Sequence, residues 1–414
     1  MATDRTTASA IAEFVKHGMD LSAGRIKAAP DPFWQALRAA GTELWLDTGD
    51  IDEAAKAWSA EMTALTTNNT LLNREIQKGI YDSLVKEAAG IVRHLKPRQQ
   101  VLEIAFILNA RHGLRLVQRF GGMVSVELHT DLADDLKGIV AYGTRFHEIC
   151  PTNFIVKVPL TATGLLGARA LRDKGIRINF TLEFSARQNA LVTTIARPNY
   201  CNVFLGRLGA YMIDNGLGDG KMVGEKATLA AQEIVAALGR RNKEPTRLIA
   251  ASMRSGDQVG SLAGVDVFTM PVKVAMDGRA SIDKSTVRSH RGESPAVALP
   301  SGTDAKEIGI DKFWAVSDEE RELAVKLGEK PPATGAELEA LAHEAGCGDM
   351  FARLGKEDLS HIAGDGKIPK HSRWAERIRS GELATDTLLN RAGLASFSAD
   401  QAQFDRRIEG LLKA

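Results

Sequence analysis

The sequence predicts a (β/α)₈ TIM barrel, a closed barrel of alternating strands and helices, followed by a C-terminal helical extension. Eight short apolar strand candidates occur between residues 44 and 270, and helical patterns separate most of them. Regular alternation of strands and helices indicates a parallel sheet, and eight such units indicate closure. The competing architecture, an open doubly wound sheet, usually has fewer strands and often a glycine-rich first turn, which this chain lacks.

The strand candidates are short apolar runs bounded by turns, and they are taken in chain order. They span residues 44–47, 64–68, 123–128, 154–160, 176–184, 200–205, 247–252 and 265–270. Helical periodicity follows at 131–148, 162–172, 186–196 and 224–239, whereas only a short helix around 256–263 fits between the last two strands. Continuous Val, Ile, Leu and Phe residues are typical of strands that are covered on both faces.

The chain divides into three predicted parts. Residues 1–37 form an N-terminal helical segment, 38–271 the catalytic barrel, and 272–414 a loop and helical extension that packs on the barrel. Residues 272–312 are rich in Gly, Ser, Asp and Pro, and they predict a loop. Helices are predicted after this loop at 317–327, 334–345, 349–354, 370–379 and 398–412.

Composition excludes several classes of protein. The 414 residues are 44% hydrophobic and 25% charged, with a net charge of +1, which is typical of a soluble globular protein and gives no reason to expect nucleic acid or a membrane as partner. We expect no secretory signal and no membrane span. Three widely spaced cysteines favour a reducing cytoplasm, and nine histidines without metal-ligand spacing predict no metal site.

Lys157 is the most informative residue, because it interrupts the apolar strand 154–160. Burial of a lysine disfavours its charged form. A neutral amine attacks carbonyls and forms Schiff bases. The simpler interpretation is a lysine that reaches solvent or a carboxylate from a strand end. The neighbouring strands decide between the two interpretations.

Polar residues occupy equivalent points at the ends of seven successive predicted strands. Functional residues of closed barrels lie at these C-terminal ends. An unpaired buried charge costs several kcal/mol, so opposite charges are favoured at one mouth. Ion pairs that merely close the barrel are the alternative, but perturbed groups cluster at functional sites. The residues are Asp47, Asn68, Glu127, Lys157, Asn179 with Thr181, Arg207, and Ser252 with Arg254.

These residue types predict carbon–carbon bond chemistry on a sugar. Lys157 would attack a ketone, and the resulting iminium is an electron sink for the adjacent bond. Asp47 and Glu127 supply two carboxylates for proton transfer, one of them through a water that Thr181 holds. Asparagine side chains orient hydroxyls of a polyol. Arginines on strands six and seven lie where barrels often bind phosphate, so a sugar phosphate is the expected substrate.

The strand motifs resemble those of the transaldolase family, in the same order. The resemblance covers residues 32–271 and returns at 397–401, which is similar to the last helix of that family, while residues 81–82 resemble its longer bacterial branch. The motifs are LWLDTGD (44–50), TTNNTLL (66–72), VSVEL (124–128), VKVPLTATGL (156–165), INFTLEFS (178–185), VFLGRL (203–208) and ASMRS (251–255).

The resemblance implies transfer of a dihydroxyacetone unit from a ketose phosphate to an aldose phosphate in the pentose phosphate pathway, without metal or organic cofactor. It also implies a role for each site residue. Those roles are Lys157 as Schiff-base lysine, Asp47 as acid/base, Glu127 and Thr181 for the catalytic water, Asn68 and Asn179 for donor hydroxyls, Phe204 as pocket wall, and Arg207, Ser252 and Arg254 for phosphate.

Three positions depart from the family pattern. Asn69 stands where proline is usual, and we expect it to loosen the turn after strand two. Asn202 replaces a typical serine and bears on the donor or phosphate contacts. His129 replaces a common aspartate.

Two alternatives therefore stay open, a Schiff-base aldolase of the same fold with another donor or acceptor in a biosynthetic pathway, and a catalytically silent barrel that acts as a binding or scaffold protein. The oligomeric state is open as well, including a homo-oligomer, and so is the role of residues 272–396.

Overall fold

Eight parallel strands close into a barrel in the computed structural model, which describes residues 3–240 and 242–413. They pair in chain order, and the last strand returns to the first with Glu43 opposite Val267. The predicted fold class is confirmed, and each predicted strand is present. The strands are β1 (Glu43–Asp47), β2 (Met62–Thr66), β3 (Met123–Glu127), β4 (Phe154–Pro159), β5 (Ile178–Thr181), β6 (Tyr200–Phe204), β7 (Arg247–Ala251) and β8 (Val267–Met270).

Helices precede, separate and follow the strands. Those up to the end of the barrel are α1 (Arg5–Lys16), α2 (Pro32–Ala39), α3 (Ile51–Ala57), α4 (Asn69–Gln77), α5 (Asp82–Val92), α6 (Pro97–Phe120), α7 (Leu136–Ile149), α8 (Ala162–Asp173), α9 (Ala186–Leu191), α10 (Leu205–Asp214), α11 (Val223–Gly239), α12 (Asp257–Ser261) and α13 (Val272–Ser281). The extension contains α14 (Asp318–Glu329), α15 (Gly335–Glu344), α16 (Lys356–Asp365), α17 (His371–Arg379) and α18 (Thr385–Lys413). Within the described residues, no helix has a segment long and apolar enough to cross a bilayer.

The burial and register of strand β4 show how the apolar strand segments form the barrel and position its polar residues. All six of its residues are buried, because its outer face meets helices and its inner face meets the barrel interior. Its register places Lys157 opposite Glu127 on β3 and opposite Asn179 on β5. Lower in the barrel, the rings of Trp45 and Tyr200 pack edge to face with centroids 4.6 Å apart. The register therefore brings three polar side chains together above an apolar interior.

Three predictions about the extension are corrected. The helix predicted at 349–354 is wrong, because only a short 3₁₀ turn forms there, at Gly348–Phe351, and α16 begins at Lys356. The loop predicted for 272–312 was wrong at its start, where α13 forms directly after Pro271. Proline is favoured at a helix start. Within this helix Gly278 leaves space for the Val259 side chain, whose Cγ2 would lie only 3.0 Å from a Cβ added at Gly278. Helix α18 begins at Thr385, well before the predicted residue 398. The sequence did not predict this start because most residues of the first turns are buried, and such turns show no amphipathic period.

Helix α18 crosses the C-terminal mouth of the barrel. The Asn390 side chain donates to the carbonyls of Leu160 at 3.1 Å and Leu182 at 3.0 Å, just beyond β4 and β5. Further along the helix, Arg407 binds the carboxylate of Asp82 on α5. The extension thus covers part of the mouth.

Arg187 on α9 ties the extension to the barrel. Its guanidinium is fully buried and binds three carboxylates, each from a different part of the extension. Asp386 accepts from Nε at 2.9 Å and Nη2 at 2.7 Å, while Glu320 and Asp349 each accept from Nη1 at 2.8 Å. Removing one partner of such a buried group leaves an uncompensated charge, so the contact fixes the position of the extension.

Candidate active site

A cavity of about 490 Å³ opens at the C-terminal ends of the strands. It brings together eight of the ten predicted site residues, and the other two, Glu127 and Thr181, are buried beside it on β3 and β5. The eight that line the cavity are Asp47, Asn68, Lys157, Asn179, Phe204, Arg207, Ser252 and Arg254.

Lys157 faces this cavity from a buried position. Its side chain is 5% exposed, and Nζ donates a hydrogen bond to the Thr67 carbonyl at 3.1 Å. Nζ also lies 3.2 Å from Glu127 Oε2, because the register sets the two residues opposite each other. The ring of Phe397, from α18, lies 5.9 Å from Nζ. The amine is therefore buried near one aromatic ring and held next to a carboxyl group.

The two predicted carboxyl groups both have raised pKa values. Burial raises the pKa of Asp47 and of Glu127 above the ordinary values, and the charge of Lys157 opposes this only in part. Asp47 Oδ1 accepts from Thr66 Oγ1 at 2.7 Å, and that hydroxyl lies 2.6 Å from Thr269 Oγ1. Carboxyl groups with raised pKa values exchange protons more readily near neutral pH.

Three further predicted polar residues offer hydrogen-bonding atoms near the cavity. Asn68 caps α4 with Oδ1, which accepts from the Leu71 N–H at 2.9 Å. Asn179 donates to Ser125 Oγ at 3.0 Å, while its Oδ1 and the Thr181 hydroxyl have no partner among the described residues. Buried polar atoms without partners are uncommon, so these two are available to water or a ligand.

Arg207 is a buried cation at the wall of the cavity. It is 4% exposed, makes no ion pair within 3–240 and 242–413, and lies against the rings of Phe204 and Phe397 with Cζ 5.2 and 5.8 Å from the centroids. Burial, together with the charge of Arg254, lowers the pKa of Arg207 to about 10. An uncompensated guanidinium at a cavity wall indicates an anion site.

The backbone around Arg207 has three features that suit a candidate anion site. Arg207 lies in the first turn of α10, whose N-terminus has no side-chain cap and leaves backbone N–H groups free for an anion. A Cβ at Gly206 would lie 2.1 Å from the Ser252 carbonyl oxygen and 2.5 Å from Arg254 Cγ, so only glycine permits this approach. Ser252 has a φ of +61°, a left-handed conformation that is uncommon for serine and typical of functional sites.

Sequence reasoning missed four more cations that line the cavity, Lys56, Arg74, Lys273 and Lys367. The first three lie on helices that directly follow β1, β2 and β8, so their position after a strand was a usable signal. Lys367 belongs to the extension, and no pattern in the sequence indicated it.

The departures from the family pattern have structural explanations. The predicted loosening at Asn69 is wrong, because Asn69 is buried in the first turn of α4 and donates to Gln401 Oε1 of α18 at 2.7 Å. His129 Nε2 lies 3.2 Å from the Asp405 carboxylate, also on α18. Asn202 lines the cavity and donates to the Phe180 carbonyl at 2.8 Å. Two of the three positions thus contact the extension.

The cavity offers acid, base and cationic groups rather than a set of metal ligands. Among residues 3–240 and 242–413, no group of three or more His, Cys, Asp or Glu side chains is arranged to hold a metal ion.

Comparison with known proteins finds one family. The family model described as transaldolase/fructose-6-phosphate aldolase matches residues 44–313, a range that contains all ten predicted site residues. A probable transaldolase of Thermus thermophilus is 33% identical over 234 residues, 55% of this chain and 86% of that protein. A probable transaldolase of Pelotomaculum thermopropionicum is 31% identical over 237 residues, which cover 56% of this chain and 88% of that protein. A transaldolase of Xanthomonas oryzae pv. oryzae is 26% identical over 291 residues, which cover 64% of this chain and 89% of that protein.

Proposed function

Because this chain belongs to the transaldolase/fructose-6-phosphate aldolase family, we propose that it transfers a dihydroxyacetone unit from a ketose phosphate to an aldose phosphate through a Schiff base on Lys157. The observation that carries this proposal is the buried Lys157 amine, 3.2 Å from the Glu127 carboxyl, in a cavity that also holds the unpaired Arg207. The proposed substrates are those of the pentose phosphate pathway. The cysteines Cys150, Cys201 and Cys347 are free and buried, which is consistent with the cytoplasmic location that we propose.

The first proposed step forms the iminium. The Lys157 nitrogen bonds to the ketone carbon, and Glu127 relays a proton from that nitrogen to the oxygen. The neutral amine, the ketone and a protonated Glu127 together become an iminium, a carboxylate and a water molecule. The raised pKa of Glu127 supports this role, since a carboxyl must hold the proton before it can donate it. The free Thr181 hydroxyl is suited to hold the released water.

The second proposed step breaks the carbon–carbon bond. Asp47 removes the proton of the hydroxyl on the far carbon of the bond that breaks. That carbon becomes the aldehyde of the leaving fragment, and the electron pair of the bond moves to the iminium. An aldose phosphate leaves, and an enamine stays on Lys157. The enamine then attacks the carbonyl of a second aldose phosphate, Asp47 returns the proton to the new hydroxyl, and water releases the ketose product by reversing the first step.

Substrate binding is proposed for the remaining residues. Arg207, Arg254 and Ser252 bind phosphate together with the N-terminus of α10, because forked donors and free N–H groups suit a dianion. Asn68 and Asn179 bind donor hydroxyls. Phe204 forms a wall of the pocket.

Borohydride trapping tests the proposal. The protein is incubated with fructose 6-phosphate and borohydride, and its intact mass and peptide map are measured. We expect a dihydroxyacetone adduct on Lys157 and none in the Lys157→Arg variant. Absence of any adduct would refute the Schiff-base mechanism and favour a silent barrel, whereas an adduct only on another lysine would refute the role of Lys157. A coupled assay with erythrose 4-phosphate then separates a transferase, which needs this acceptor, from an aldolase, which releases free dihydroxyacetone.

A further inference from the structure

Lys367 reaches the candidate active site from the extension. It lies between α16 and α17, outside the range 44–313 that matches the family, and yet it lines the same cavity as Lys157. Its position is therefore a property of this chain that the shared barrel does not explain.

The segment that carries Lys367 is anchored to the helix that carries Arg207. The carbonyl of Pro369 accepts from Asn215 Nδ2 at 3.1 Å, and Asn215 Oδ1 accepts from the backbone N–H of His371 at 2.7 Å. Tyr211, fully buried on α10, bonds His371 Nδ1 through its hydroxyl at 2.6 Å. Because these contacts lie at the C-terminal half and end of α10 and Arg207 lies in its first turn, the loop has a fixed position relative to the anion site.

The charges around Lys367 are mostly positive. Lys367 is exposed at the mouth of the cavity, and its partial desolvation there lowers its pKa. The charges of Arg207, Arg74 and Arg254 lower this pKa further, while Asp400 opposes them. Lys367 makes no ion pair with a carboxylate in the part of the chain that the structure describes. Cations that converge at one place repel each other, and a bound dianion relieves this repulsion.

We propose that Lys367 is a substrate-binding residue, which contacts the phosphate group of the sugar substrate together with Arg207 and Arg254. This inference rests on the proposed function and adds a third cation to the phosphate subsite. The loop that carries Lys367 is anchored to α10, the helix that carries Arg207, and this assigns Lys367 to the phosphate end of the cavity. The extension is then part of the substrate site.

The test compares Lys367→Gln with a matched control, Lys370→Gln, in the full-length protein. Lys370 lies on the same loop and is exposed like Lys367, but it does not line the cavity. For Lys367→Gln we expect the KM for fructose 6-phosphate to rise about tenfold, with kcat changed less than about twofold, since one charge-assisted hydrogen bond is lost. The Kd for inorganic phosphate should rise by a similar factor. Lys370→Gln should match the wild type, and Lys367→Arg should restore most of the affinity.

A second measurement separates this inference from the proposed function. Free dihydroxyacetone carries no phosphate, so borohydride should trap it on Lys157 equally in the wild type and in Lys367→Gln. If the wild type traps none, the proposed function fails, while the phosphate affinities still decide the role of Lys367. If both glutamine variants bind inorganic phosphate and fructose 6-phosphate like the wild type, the inference is overturned. It is also overturned if Lys367→Gln loses dihydroxyacetone trapping, because the defect is then not specific to phosphate.

Discussion

Replacing Asp386 by asparagine should weaken the attachment of the extension to the barrel by about 3 kcal/mol. The Asp386 carboxylate is fully buried and accepts hydrogen bonds from Arg187 at 2.9 and 2.7 Å and from Ser185 Oγ at 2.6 Å. Asparagine has nearly the same shape, but it is uncharged and turns one NH₂ group toward these donors. The buried guanidinium therefore loses both a counter-charge and an acceptor.

The magnitude follows from what remains around the guanidinium. Removing one partner of a buried ion pair costs about 3–5 kcal/mol. Glu320 and Asp349 still lie 2.8 Å from Arg187 Nη1, so the lower end of that range applies. Burial alone would raise the pKa of Asp386, but the charge and hydrogen bonds of Arg187 hold it below the ordinary value. The stabilisation is thus present above pH about 4 and is lost as the pH falls through the lowered pKa.

Urea unfolding at pH 7 measures the effect, with limited proteolysis of the extension as a local readout. Asp173→Asn is the control, because Asp173 is 70% exposed and its oxygen lies 3.9 Å from Arg169 Nε, a geometry worth less than about 1 kcal/mol. A loss below about 1 kcal/mol for Asp386→Asn at pH 7 would refute the reasoning. So would a loss of the same size in both variants.

Three further predictions concern the cavity. Lys157→Arg should fold normally and lose turnover, because an always-charged guanidinium forms no imine; turnover at the wild-type rate would contradict the mechanism. Burial raises the pKa of Asp47, so kcat/KM should fall with decreasing pH already above about 4. Asp47→Asn should remove this acidic limb of the pH profile together with most turnover. A wild-type profile that is flat down to that pH counts against the acid/base role of Asp47. Gly206→Ala should raise the KM for fructose 6-phosphate about tenfold, since the added Cβ displaces the Ser252 carbonyl. Gly90→Ala should leave the KM unchanged, because the space around its Cβ is open. Equal KM values for the two variants would show that the close approach of Gly206 to Ser252 is not needed for substrate binding.

The barrel and most of the cavity could be predicted because the signals are local. Seven of the eight strands carry a polar residue near or just beyond their C-terminal end, and parallel pairing in chain order brings those ends to one mouth. Glu127 and Lys157 therefore become neighbours without further information. The helix before residue 398 could not be predicted in this way. Its residues Leu388, Leu389 and Ala392 are buried together with neighbouring polar ones, and this removes the periodicity by which a helix is detected.

Lys367 illustrates the other limit. Its position depends on contacts of Pro369 and His371 with α10, which lies far away in the chain, and no residue next to Lys367 carries that information. Asn69 was misjudged for a related reason. Its partner Gln401 is on the last helix, and a turn that looks loose in isolation is held by a side chain from the other end of the molecule.

The route of α18 has a consequence for biosynthesis. Phe397 and Gln401 are translated long after Lys157, although they lie at the same mouth. All eight strands are therefore synthesised before the residues of α18 that lie at the mouth of the barrel. Competence to turn over sugar phosphates should appear late in translation, when the final helix docks, and a truncated nascent chain with an intact barrel should be inert.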